Sequence, residues 1–328
     1  MKLATYRNGS RDGRLLVVSR DLQRAVDAAA FAPTMQYAIE HWDAVEAGLQ
    51  GLYAALNAAE CPGAFAFEPR QCLSPLPRTH QYVDASAFLN HGHIMEQAYD
   101  LNVKKTPGIP VLVQRQSDDF WGPCDDYPLV EADNGDFEGE FAVIVDDTPM
   151  ASTPEVCAGK IRLVMILNDV SMRAHLFREL QMGFGFINAK PASVFGPVAV
   201  TPDELGEGWA ADGRIHLDMQ VSRNGQWFGQ PNGREMDWSF GELLARLALN
   251  RNLRAGTILG TGTVSNQAAR TVGSACLAEK RALEKIETGE SVTPFLKIGD
   301  RLRFEVFGAD GRSIFGAVDH AFVPFGQQ

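Results

Sequence analysis

The sequence predicts a mainly β, α+β fold, with a small α+β unit over residues 1–75 and a β-dominated domain over residues 76–328. Three observations carry this. Short β-like runs broken by turn residues fill the chain beyond residue 76, few stretches there have helical spacing, and Cys61-Pro-Gly with the Pro-containing stretch 73–77 marks a boundary. The 328 residues are 45% hydrophobic and 22% charged, enough to bury a sizeable core.

The chain opens with alternating residues from Lys2 to Arg7, turns at Asn8-Gly9 and Asp12-Gly13, and the apolar run Leu15 to Val18, which together predict a β-hairpin. From Thr34 to Ala59, Met35, Ala38, Ile39, Trp42, Val45, Leu49, Leu52, Tyr53 and Leu56 recur at three and four residues. That spacing predicts a helix, broken near Gly48 or Gly51. Strands are then expected at 111–114, 137–145, 161–167, 198–201, 215–223, 226–229, 257–263 and 301–307, with Asn224-Gly225 as a hairpin turn. Two helices are expected among them: 240–250, with Ser239 as N-cap, and 277–287, rich in helix formers. No repeat period is visible.

Composition excludes several classes of function. Lys and Arg total 30 against 41 Asp and Glu, a net charge of −11, and the basic residues form no run. Nucleic acid and anionic membrane surfaces are therefore poor partners, and small molecules or cations are better ones. The longest apolar runs, such as 163–167, fall far short of the ~20 residues that a bilayer demands. The N-terminus lacks the apolar stretch of a signal peptide, so the cytoplasm is the expected compartment. Five scattered cysteines in no CxxC spacing read as buried or idle thiols.

The chemistry is expected in three acidic stretches. In Asp136-Phe-Glu-Gly-Glu140, a strand would project Glu138 and Glu140 on the face shared by Ala142 and Ile144. Paired carboxylates on a partly buried face need a proton or a cation; otherwise they belong to a solvated strand end. Asp169 follows an apolar run typical of a strand buried on both faces, and Arg173 stands four residues on as its charge partner or an anion clamp. Asp84 precedes His91 by seven residues, a spacing that suits a base beside a ligand. His91-x-His93 lacks the further ligands of a zinc site. The tract Gly260-Thr-Gly-Thr-Val-Ser-Asn266 lacks the Lys-Ser/Thr ending of a phosphate loop, and reads as a close-packed turn at a site.

Together these pieces resemble the fumarylacetoacetate hydrolase family. The matching residues are Tyr82-x-Asp84 with His91, Glu138-x-Glu140, Asn168-Asp169-x-Ser171-x-Arg173, Lys190, and Gly262-Thr263-Val264-Ser265, in the family's order over roughly residues 76–325. The resemblance implies a mixed β-sandwich/β-roll catalytic domain, a smaller N-terminal domain and a homodimer. It implies Asp84, Glu138, Glu140 and Asp169 as ligands of a divalent cation, and an all-oxygen set suits Mg²⁺, Ca²⁺ or Mn²⁺ better than Zn²⁺. Lys190 and Arg173 would compensate charge and meet substrate, Thr263 and Ser86 would contact it, and His91 would be the general base for the attacking water. Glu279 would orient His91, with Glu96 as the other candidate.

The implied reaction is hydrolysis of a carbon–carbon bond in a 1,3-diketo acid, fumarylacetoacetate first, then fumarylpyruvate and other acylpyruvates. Leu176, Ser86 and Val194 or Ser193 depart from the residues that the hydrolase branch often carries there, so the metal site is better supported than the acyl tail. A 2-oxo acid hydratase or decarboxylase would keep the cation and Lys190 without a water activated by His91. A non-catalytic module with a structural Ca²⁺ is the third reading.

Overall fold

The opening residues form the expected hairpin. In a computed structural model, which describes residues 1–99 and 106–326, strand Lys2–Tyr6 pairs antiparallel with Arg14–Val18, Leu3 opposite Val17. The hairpin does not stand alone. Lys2–Tyr6 also pairs with Ala199–Val200, which joins the first 75 residues to the main sheet. Among the described residues this sheet has eleven strands, and its central path runs from Ala199–Val200 through Ile161–Asn168, Gly139–Val145, Ile258–Gly260 and Tyr82–Ala85 to Leu112–Arg115 at one edge. Ile258–Gly260 and Tyr82–Ala85 run parallel. A five-stranded sheet includes Met219–Arg223, Gln226–Gly229, Arg301–Val306 and Val318–Pro324. The result is the sheet-dominated α+β fold that the sequence predicts.

Three layers explain why Ile161–Asn168 is apolar at nearly every position. Val164 and Ile166 share one core with Phe304, Val306 and Phe322 of the smaller sheet. Leu163, Met165 and Leu167 face the opposite core, built with Met35, Ile39, Trp42, Val45 and Leu49 from the N-terminal helices. Each fully buried aliphatic or aromatic side chain contributes roughly 1.5–3 kcal/mol, so both faces favour this central position for the strand.

Several expectations need correction. The helical stretch after Thr34 breaks at His41, giving Met35–Glu40 and Trp42–Asn57. Gly48 lies inside the second helix because a Cβ there would sit 2.2 Å from the Phe31 ring, a packing requirement and not a break. The strand expected over 215–223 begins only at Met219; Ile215 instead bridges Trp209. The expected helix over 240–250 ends as α-helix at Leu247 and continues as a 3₁₀ turn over Ala248–Asn250, behind a full capping box of Ser239 and Glu242.

Helices Leu89–Tyr99 and Arg173–Met182 were not anticipated. The second buries none of its residues and leaves Phe177, Leu180 and Met182 exposed, while the first packs Ile94, with Met95, Ala98 and Tyr99 beside it at three- and four-residue spacing, against Ala282 and Leu283. The five cysteines carry no disulfide, and no helix of the described residues is long and apolar enough to cross a membrane.

Candidate active site

Adjacent strands of the main sheet bring the acidic residues together. Asp84 lies opposite Gly260, Gly260 opposite Ala142, and Glu140 opposite Leu167, two residues before Asp169. Gly260 therefore sits between two acid-bearing strands. A Cβ at this position would fall 2.5 Å from Asp84 Oδ1 and 3.1 Å from Glu140 Oε2, so only glycine leaves the space between the carboxylates open. Gly262, at φ +77°, turns the chain so that its N–H donates to Asp84 Oδ1 at 3.0 Å. The Gly260–Asn266 tract is thus a close-packed turn at the acidic cluster.

Oxygens of Asp84, Glu140 and Asp169 lie within 4.8 Å of one another, all buried. Burial and the Asp169 charge push the Asp84 carboxyl up to about 6. Burial, then Asp84, Asp169 and Glu138, push Glu140 well above the usual carboxylate range. Both Glu140 oxygens are buried and meet no hydrogen-bond partner among the described residues. An unpartnered buried carboxylate facing two others is costly unless a positive charge joins it.

Glu138 has a different setting. It precedes strand Gly139–Val145 and bridges Cys276. Its Oε2 accepts from Lys190 Nζ at 2.6 Å and its Oε1 from Arg173 Nη2 at 2.5 Å. Burial would raise this carboxyl, but Lys190, Arg173 and His91 outweigh it and hold it below the ordinary range. Lys190 also donates to Asp169 Oδ2 at 2.6 Å. Arg173 does not pair with Asp169 as expected. It reaches Asp136, whose carboxylate also caps the Leu277–Thr288 helix by accepting from the N–H groups of Leu277 and Ala278. The helix that starts at Arg173 carries its guanidinium away from Asp169 and toward Asp136 and Glu138.

Sequence reasoning missed Arg115. It is buried at the edge strand opposite Tyr82, where it donates to Asp169 Oδ1 and, at 2.7 Å, to the carbonyl of Lys190. Ser193 also donates to Asp169 Oδ1, at 3.0 Å. Within Val111–Gln114 and its flank, only the strand itself was legible. Nothing local says that an arginine at its end turns inward.

Capping by Asp136, together with the Cys276 sulfur that accepts the Glu279 N–H at 3.3 Å, fixes the first turn of the Leu277–Thr288 helix. Glu279, in that turn, is buried, and its Oε2 lies 3.0 Å from His91 Nδ1. With the proton on Nδ1, Nε2 of this partly exposed histidine is the basic nitrogen. Glu96 lies on the same helix as His91. Thr263 is buried beside the glycine turn, while Ser86 is exposed at the end of strand Tyr82–Ala85. His93 is exposed, and the acidic triad is the one metal-type cluster among the described residues.

Two family models cover most of the chain. Residues 1–78 match the fumarylacetoacetase N-terminal domain 2, and residues 81–322 match the fumarylacetoacetate (FAA) hydrolase C-terminal domain. The chain belongs to the fumarylacetoacetate hydrolase family. Solved structures agree on the fold of this family member. A maleylpyruvate hydrolase from Sphingobium sp. SYK-6, in complex with manganese(II) and pyruvate, superposes with a TM-score of 0.66 at 19% identity over 99% of both chains. The fumarylacetoacetate hydrolase of Exiguobacterium antarcticum gives 0.65 at 18% identity, again over 99% of both. A 2-hydroxyhepta-2,4-diene-1,7-dioate isomerase from Mycobacterium marinum gives 0.52 at 17% over 78% of this chain and 79% of that one. A search of curated protein sequences returned no match.

The residues present fit a divalent cation. Asp84, Glu140 and Asp169 supply hard oxygens only, Glu140 has two unpartnered ones, and Gly260 keeps the space among them clear. Charge points the same way. Asp84, Asp136, Glu138, Glu140 and Asp169 outnumber Arg115, Arg173 and Lys190, and Glu279 beside His91 adds to the negative side, so a dication relieves an excess of buried negative charge.

Proposed function

We propose that this family member is a divalent-cation-dependent hydrolase that cleaves a carbon–carbon bond in a 1,3-diketo acid, with fumarylacetoacetate the first candidate and acylpyruvates such as fumarylpyruvate next. The observation that carries the reading is the coexistence of a buried acidic cluster short of positive charge with a His91–Glu279 pair. Asp84, Glu140 and Asp169 would hold the cation, with Glu138 beside them, and Mg²⁺, Mn²⁺ or Ca²⁺ suits these donors. When bound, such an ion supplies Lewis-acid polarisation of the substrate's oxygens and an electrostatic sink for the enolate.

The chain's own residues supply the rest. Glu279 keeps the proton of His91 on Nδ1, so that Nε2 takes a proton from water. The hydroxide adds to the acyl carbonyl carbon and the carbon–carbon bond breaks. Its electron pair leaves on the enolate, which takes the His91 proton at carbon. One water is consumed and two acids form. Lys190, fixed by Glu138 and Asp169, places its ammonium beside the developing negative charge. Arg173 is fixed likewise by Asp136 and Glu138 and would meet a substrate carboxylate. Thr263 and Ser86 would line the substrate's path. The segment through residue 75 buttresses the catalytic strands from one face, and a homodimer is the expected assembly.

The test is loss of enol absorbance over a panel of diketo acids with Mg²⁺, Mn²⁺ or Ca²⁺, for the native chain and His91→Ala. Cleavage by the native chain, falling roughly 10²–10⁴-fold in His91→Ala with cation binding intact, is the expected outcome. Cleavage unchanged by the substitution would overturn the water-activating role, and turnover of 2-oxo acids by decarboxylation or hydration alone would replace the hydrolase reading with a lyase.

A further inference from the structure

Arg115 stands out among the buried charges because neither the family's motifs nor the proposed chemistry uses it. It closes the edge strand Leu112–Arg115, and its side chain is 1% exposed. Every partner of its guanidinium is at the site. Nη2 faces Asp169 Oδ1, the Pro191 carbonyl and Ser193 Oγ, and Nη1 donates to the Lys190 carbonyl. Its Nε is buried without a hydrogen-bond partner among the described residues.

The cations are distributed unevenly over the cluster. Asp169 has two, Arg115 on Oδ1 and Lys190 on Oδ2, while no Lys or Arg side chain forms an ion pair with Asp84 or Glu140 among the described residues. A lysine can release its proton when a dication arrives. A guanidinium cannot, so it remains and repels the newcomer.

We propose that Arg115 is a positioning residue that stands in for part of the cation's charge at Asp169, keeping the acidic cluster assembled when no cation is bound and holding cation affinity below what the carboxylates alone would reach. This rests on the cation-site reading above. Two opposed effects follow from one side chain: without cation Arg115 stabilises the fold, and with cation it is in competition.

Thermal unfolding and calorimetric titration with Mn²⁺ alone, on chelator-treated full-length chain, test both effects. Arg115→Met should lower Tm strongly in chelator, the deficit should shrink in saturating Mn²⁺, and the Mn²⁺ Kd should tighten at least ~10-fold, as linkage between binding and stability requires. Arg115→Lys, which keeps a positive charge at Asp169 when no cation is bound, should hold Tm in chelator near the native value. Arg115→Gln carries the same comparison should Arg115→Met not fold. A Tm deficit equal with and without Mn²⁺, a Kd unchanged or weakened, or failure of both neutral variants to fold even in excess Mn²⁺ would overturn the inference. A native chain that takes up no Mn²⁺ would overturn the cation-site reading and this inference with it.

Discussion

Glu140 carries an unrelieved electrostatic conflict. It is fully buried, meets no hydrogen-bond donor on either oxygen among the described residues, and is pushed toward its protonated form by burial and by Asp84 and Asp169. Its neutral isostere removes the repulsion and keeps the shape. Glu140→Gln should therefore stabilise the cation-free protein by about 1–2 kcal/mol in urea unfolding and abolish the rise in Tm on adding Mn²⁺. Glu138 is its opposite: a carboxylate two residues away, ionised because Lys190 and Arg173 hold it. Identical residue types in one short motif thus take different protonation behaviour from the groups that the fold sets against them.

Positioning at the level of elements falls to helix termini and the loops after them. The Arg173–Met182 helix buries no residue, yet its Glu179 carboxylate accepts from the N–H groups of Ile187, Asn188 and Ala189 at 2.9–3.1 Å, directly before Lys190. These three backbone bonds set Lys190's approach to Glu138 and Asp169. They also hold the Glu179 carboxyl below its ordinary range against the opposing effect of burial. Glu179→Ala should leave the global unfolding midpoint nearly unchanged while hydrogen exchange at the amides of 187–189 speeds up roughly 5-fold, the equivalent of about 1 kcal/mol of lost hydrogen bonding. Unaltered exchange at those amides would remove the loop-holding role. A short helix that buries none of its residues is thereby explained as a bracket for a functional loop.

Across the whole molecule, the smaller sheet reaches the site through His320. Its Nε2 lies 3.2 Å from Asn168 Nδ2, and the Asn168 Oδ1 accepts the Glu138 N–H at 3.0 Å. Burial lowers His320 to about 4, so it is neutral in the folded protein over most of the pH range. Its depressed folded value means that the unfolded chain takes up a proton at about 6.5 while the folded chain does not. The stability His320 contributes is therefore complete above pH ~6.5 and is lost as pH falls toward 4, by about 3 kcal/mol in total. His320→Gln should flatten the decline of urea-unfolding stability over that window; a slope matching the native protein's would exclude His320 as its source.

Much of this protein is legible in its linear pattern. Alternation and turn residues determined the opening hairpin, the doubly buried run through Ile161–Leu167 showed a central strand, and the Ser239 cap marked its helix, because each depends on neighbours in the chain. The acidic triad was legible only as an ordered set of residue types and spacings. Tertiary structure decided which charge meets which. Arg115 reaches Asp169 across 54 residues, Glu279 reaches His91 across 188, and Arg173 passes over nearby Asp169 for Asp136 and Glu138. Those pairings are set by strand order and helix direction, and Coulomb energy depends on distance through space, to which separation along the chain is no guide.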